Sequence, residues 1–182
     1  LEYEYRYGAL VIDGASPTLR GMKFNDINTT SVLATNLAQP TFIGGEYVAG
    51  NDERSGVTGQ AVQVYGGGTP ISPMIFEGAS FQSTNKGCGN RDGGRSAIWA
   101  SQTFIRIDDS EVTNGDFGFS IRNSAGKITN SSLTVDCNGI DINSLKAVGD
   151  TEYNVEIAFN TISTTEKTPI TVYAGADVDI HD

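Results

Sequence analysis

Apolar residues recur along this chain as seven short alternating pairs: Leu10/Ile12, Val32/Ala34, Val62/Val64, Ile98/Ala100, Phe119/Ile121, Ile140/Ile142 and Ile170/Val172. Their starts lie 22, 30, 36, 21, 21 and 30 residues apart, so the basic unit is 21–22 residues and the longer intervals read as that unit with a loop inserted. A second apolar anchor follows each pair, at Leu19, Phe42, Phe76, Ile107, Ile128, Ile157 and Ile180. Five residues beyond the first six of these stands a third, at Phe24, Tyr47, Phe81, Val112, Leu133 and Ile162. Alternation within a pair has a period of two, which a strand with one buried face requires. No window carries the period of an amphipathic helix, and 22 Gly with many Asn, Asp, Ser and Thr mark the joints as turns. The pattern predicts an all-β solenoid of six to seven coils with three short strands per coil. Each coil of such a stack buries its apolar face only against its neighbours.

Two further columns support the stack. The residue before each pair is small (Ala9, Ser31, Ala61, Ala97, Gly118, Gly139, Pro169), as close contact between coils about 4.8 Å apart demands. Two residues past the second anchor stand Gly21, Gly44, Gly78, Asp109, Asn130 and Phe159, mostly turn formers. Segments such as Ile128-Thr-Asn-Ser-Ser-Leu133 and Ile157-Ala-Phe-Asn-Thr-Ile162, followed by Gly-Ile or Pro-Ile openings, resemble the right-handed parallel β-helix repeats of the pectin-lyase-like superfamily. The resemblance runs from about Gly8 to Asp182; it implies a fold and singles out no member.

Residues 1–182 read as a single domain, with coils stacking to roughly 30 Å. Both ends read as cut, because the open ends of a solenoid need polar caps, and the chain is expected to be part of a longer repeat protein. The other reading folds the first ten residues, with Tyr3, Tyr5 and Tyr7, over one end. Exposed end rungs invite self-association or docking of neighbouring domains. No apolar run is long enough to cross a membrane as a helix. A net charge of −10 disfavours nucleic acid and anionic lipid as partners. Acidic, Lys-poor composition suggests an extracellular or cell-surface location. Cys88 and Cys137 fall at the same corner of the coil with one rung between them; they are expected either to form a disulfide or to remain free thiols.

Loops lengthen the closing turns of coils two and three (48–59 and 82–96) and the first turns of coils three and six (66–73 and 144–153). Loops on adjacent rungs would wall a groove beside the first strand face. The segment 85–95, with Asn90, Arg91 and Asp92, reads either as a binding loop or as a tethered insertion. Alternation aims Gln63, Trp99 and Asp141 outward, with Val11, Leu33, Ser120 and Thr171 in the same column; Tyr65, Arg122, Asn143 and Tyr173 stand beside it. An exposed Trp among Tyr, Gln, Asn, Asp and Arg suits stacking and hydrogen-bonding of sugar rings. The competing expectation is that the loops bury Trp99 as a satellite core. Glu77 and Asp108 fall side by side on another outward column. There they could act as a glycosidase pair or hold Ca²⁺, or be an ordinary solvated acidic face. Arg106, Lys127 and Glu156 are expected to stack as a charge ladder.

For the β-helical polysaccharide lyases, the resemblance implies Asp-bound Ca²⁺ and an Arg or Lys base acting on a uronate. Asp141 with Arg122 is the nearest approach, with one Asp where the family uses several. The single His, His181, stands in the last, incomplete coil. These observations favour a non-catalytic module that binds carbohydrate or serves as a structural or adhesive span, with no required cofactor. A lyase or glycoside hydrolase is the alternative.

Overall fold

The computed structural model describes residues 8–25, 30–49, 51–52, 57–58, 60–83, 88, 96–143, 154–173 and 175–182 of the chain. Every regular element among them is a strand. The strands recur in threes. The first of each set builds one parallel sheet, in chain order: Gly8–Asp13, Thr30–Thr35, Val62–Gly67, the first half of Ser96–Asp108, Phe117–Arg122, Ile140–Asn143 and Ile170–Val172. The second builds another: Thr18–Arg20, Thr41–Ile43, Met74–Glu77, the second half of Ser96–Asp108, Ala125–Thr129, Asn154–Ala158 and Asp177–His181. The third builds a five-stranded sheet of Glu46–Ala49, Ser80–Ser83, Glu111–Gly115, Ser132–Val135 and Thr161–Thr164. A parallel bridge from Lys23 to Glu46 extends that sheet by one rung.

The anchors pile up in register. Leu10, Val32, Val62, Ile98, Phe119, Ile140 and Ile170 are successive partners in the first sheet. Leu19, Phe42, Phe76, Ile107, Ile128, Ile157 and Ile180 are successive partners in the second. Parallel in-register pairing stacks like on like, so aromatic residues meet aromatic residues. Phe42 and Phe76 lie ring on ring at 4.5 Å, and Phe24, Tyr47 and Phe81 stack at 5.6 and 5.5 Å. Burial in this row pushes the Tyr47 phenol up to about 12. The exception is Ile180, an expected interior anchor that is 53% exposed. Its strand pairs on one side only among the described residues, so half of its burial is absent.

The two turn-related columns have clear physical causes. Gly21, Gly44, Gly78, Asp109, Asn130 and Phe159 all have positive φ, between 48° and 64°. This left-handed corner links the second sheet to the third. At Gly118 and Gly139 the small column is enforced by backbone: a Cβ on Gly118 would stand 2.1 Å from the Gly139 carbonyl oxygen, and one on Gly139 would stand 2.7 Å from the Pro169 carbonyl oxygen. One interior feature escaped the sequence pattern. At the corner beside the left-handed column, the Ser110 hydroxyl donates to the Asp108 carbonyl, and the Ser110 N–H donates to the Ser131 hydroxyl. The Ser131 N–H in turn donates to Asn160 Oδ1, and the Asn160 amide donates to the carbonyls of Ile128 and Ala158. Buried corner amides that no strand reaches are satisfied by this ladder.

Cys88 and Cys137 form a disulfide across 49 residues of sequence. Residues 48–59, expected as a plain loop, include a short antiparallel pair, Asn51–Asp52 with Val57–Thr58. In the 66–73 insertion, Thr69 and Ser72 exchange backbone hydrogen bonds in a tight turn. Most of segment 85–95, including Asn90, Arg91 and Asp92, and the insertion 144–153 lie outside the described residues.

Candidate functional site

The outward face of the first sheet brings most of the expected residues together. Register pairs Gln63 with Trp99, Trp99 with Ser120 and Ser120 with Asp141; the neighbouring column runs Tyr65, Ser101, Arg122, Asn143. Period two within each strand then sets Tyr65, Trp99, Arg122 and Asp141 as diagonal neighbours on one surface. The Tyr65 and Trp99 rings meet at 4.7 Å with a 55° tilt, and Gln63 Nε2 donates to the Tyr65 hydroxyl at 2.7 Å. The Arg122 guanidinium stands 6.0 Å over the Trp99 ring, at the limit of a cation–π contact.

Two atoms on this surface lack a protein partner. Asp141 Oδ1 and Arg122 Nε are both buried and accept or donate no hydrogen bond. Burial raises the Asp141 carboxyl above the ordinary carboxylate value, and the positive charge of Arg122 pulls it part of the way back. A buried acceptor and a buried donor without hydrogen bonds cost stability.

The column is less uniformly open than alternation alone implies. Leu33 is only 2% exposed and Ser120 only 4%. Ser120 is short and lies between Trp99 and Asp141, whose larger side chains shade it. Leu33 is flanked in register by Val11 and Gln63. Trp99 itself is half-buried, between the exposed and the covered expectation. Tyr173 is exposed at the last described rung, away from the Tyr65–Trp99 contact.

The second candidate pair is differently disposed. Glu77 and Asp108 are register partners, as their column implies. Asp108, however, accepts hydrogen bonds from the Thr129 hydroxyl at 2.7 Å, the Asn130 amide at 2.8 Å and Arg106 at 3.0 Å. The Asn130 and Thr129 bonds, reinforced by Arg106, hold its carboxyl below the ordinary range, which suits a fixed corner brace and not a proton donor. The expected charge column stacks in register, Arg106 beside Lys127 and Lys127 beside Glu156; within it Lys127 pairs with Glu156 across the rung, while Arg106 bonds Asp108 along its own strand. Arg106 and its register neighbour Lys127 carry like charges, so each takes a different carboxylate.

Because the Asp108 carboxyl is depressed, its stabilisation is present above its unfolded value near 3.8 and is lost as the pH falls through the folded value. Asp108→Ala is therefore expected to lower stability by about 1 kcal/mol at neutral pH. Urea denaturation should show the gap between variant and parent narrowing toward pH 3. An equal gap at both pH values would contradict the brace.

Ca²⁺ ligation needs several converging oxygen ligands. Among the described residues no group of three or more His, Cys, Asp or Glu side chains converges in that way. Beside the Tyr65–Trp99 rings, Asp141 is the one carboxylate among the described residues and it faces a guanidinium, a poor fit to a divalent cation. No protein-family model, no curated protein and no solved structure matches this chain.

Proposed function

We propose that the chain winds as a right-handed parallel β-helix of six to seven coils, within an extracellular or cell-surface protein. We propose further that it binds carbohydrate, without catalysis, on the outward face of its first sheet. Three sheets with strands in chain order, each visited once per turn of sequence, support the winding. Right-handedness is the hand that parallel crossover connections take almost without exception. The Cys88–Cys137 disulfide is compatible with an oxidising compartment.

The observation that carries the binding reading is the half-buried Tyr65–Trp99 ring pair with the Arg122 guanidinium over the indole and Asp141 diagonal to it on the next strand. A sugar hydroxyl both donates and accepts, so one ring edge could serve the carboxylate and the guanidinium together. Its apolar face would lie on the indole. A glycan array probed with and without Ca²⁺ tests this. A hit that weakens at least about tenfold on Trp99→Ala, equivalent to some 1.4 kcal/mol, is the expected result. An array blank in both conditions would leave a structural or adhesive span as the better account.

The enzymatic alternative, a lyase or glycosidase of the pectin-lyase-like type, rests on the same Arg122 and Asp141. One carboxylate with a guanidinium neighbour is thin equipment for either reaction, since glycoside hydrolysis calls for two carboxyl groups in distinct roles. Release of unsaturated or reducing ends from uronate polymers, abolished by Arg122→Ala, would establish it over the binding reading.

A further inference from the structure

A second, separate groove of about 740 Å³ lies on the outward face of the second sheet. It crosses four successive rungs, from the turn at Thr69 and Pro70, past Phe104 and Lys127, to Phe159. Three steps of about 4.8 Å make it roughly 14 Å long, running along the stack. Its volume falls in the range of ligand sites.

Phe159 is the residue that demands an explanation. It occupies the left-handed corner with φ 57°, where the equivalent residues are Gly21, Gly44, Gly78, Asp109 and Asn130. Glycine, Asn and Asp tolerate that conformation; a bulky aromatic does so only at a cost. The ring gains little burial in return. It is 62% exposed, lines the groove, and meets only the His181 ring edge-on at 6.0 Å among aromatic partners. Strain retained at an exposed aromatic points to what the ring can touch from outside.

The groove's chemistry limits that ligand. Its four charges cancel: Arg106 pairs with Asp108 at 3.0 Å and Lys127 with Glu156 at 2.5 Å. In a chain of net charge −10 this is not a surface for a polyanion. The backbone of its central strands is bonded to neighbours on both sides, so no edge is open to an added peptide strand. We infer that the groove is a second carbohydrate site. It takes a linear, uncharged oligosaccharide laid along the stack, with one ring against Phe159 and hydroxyls on the Lys127–Glu156 pair and the exposed Asn154 amide. The inference stands apart from the first-sheet site, since none of its residues is shared.

Calorimetric titration with cello-, xylo-, malto- and mannohexaose tests it on the parent, Phe159→Asn and Trp99→Ala. Expected is binding of at least one of these by the parent and weakening of about tenfold or more in Phe159→Asn. The melting temperature of that variant should be unchanged or higher, and binding by Trp99→Ala should be intact. If Phe159→Asn melts lower than the parent, Lys127→Ala, on an exposed side chain outside the corner, takes its place with the same expected loss. Equal binding by the groove variant, loss in Trp99→Ala alone, or no binding of any of the four oligosaccharides overturns the second site. Binding lost in Trp99→Ala alone would still leave the first-sheet site standing.

Discussion

Phe76→Ala is expected to lower the unfolding free energy by about 4 kcal/mol, the usual cost of deleting a fully buried aromatic side chain. Phe76 is inaccessible to solvent, lies flat on Phe42 at 4.5 Å and leans on Phe81 at 6.1 Å. Its backbone is tied by register to Phe42 on one side and Ile107 on the other. Neighbouring strands are held at their spacing by hydrogen bonds, so they cannot close over the cavity, and the loss should fall toward the upper part of the range. Ile180→Ala, in the same row but half out in solvent, should cost about 1 kcal/mol or less. Urea unfolding of the two variants measures the contrast. Equal losses, or a loss below about 1 kcal/mol for Phe76→Ala, would mean that the second anchors do not form one continuous interior row.

Opening the Cys88–Cys137 bond, by reductant or by replacing both residues with Ser, should cost about 3 kcal/mol. Cross-linking residues 49 apart removes chain entropy worth roughly 4 kcal/mol from the unfolded state, and engineered or native bridges usually deliver somewhat less. Cys137 is fully buried at the end of a third-sheet strand, and its N–H donates to the Asp116 carbonyl at 2.8 Å. The sulfur therefore leaves from a fixed corner, and the bridge ties the insertion after Ser80–Ser83 to the rung two places on. Thermal melts with and without reductant, repeated on the double Ser variant, read the effect. A shift of less than about 2 °C would show that the bridge restrains little in the unfolded chain.

Much of the fold was legible in the order of residues because a parallel stack repeats one environment. Phe42, Phe76, Ile107 and Ile128 each stand five residues before their third anchor, and although 8, 12, 7 and 7 residues separate them from their pairs, they land in one interior row. The small column before each pair was equally readable, since Gly118 and Gly139 face carbonyls that leave no room for a side chain. The candidate sites were less legible. Alternation told which way Leu33 and Ser120 point but not what shades them. Spacing put Glu77 beside Asp108 but could not show that Asp108 is claimed by Thr129, Asn130 and Arg106. The ladder through Ser110, Ser131 and Asn160 left only a faint mark, a polar residue three positions after each of those anchors. The groove under Phe159 left another, the one aromatic in a row of turn formers.

By itself, the sequence determined the period, the strand positions and which side chains share an interior row, because hydrophobic burial with a period of two is a local, one-dimensional instruction. The tertiary structure decided which polar groups are spent on one another and which remain open. Asp141 Oδ1 and Arg122 Nε are left without a hydrogen bond, and Phe159 holds a strained corner over a groove. Those outcomes depend on distances between rungs that lie some twenty to thirty residues apart in the chain, and no local pattern encodes them.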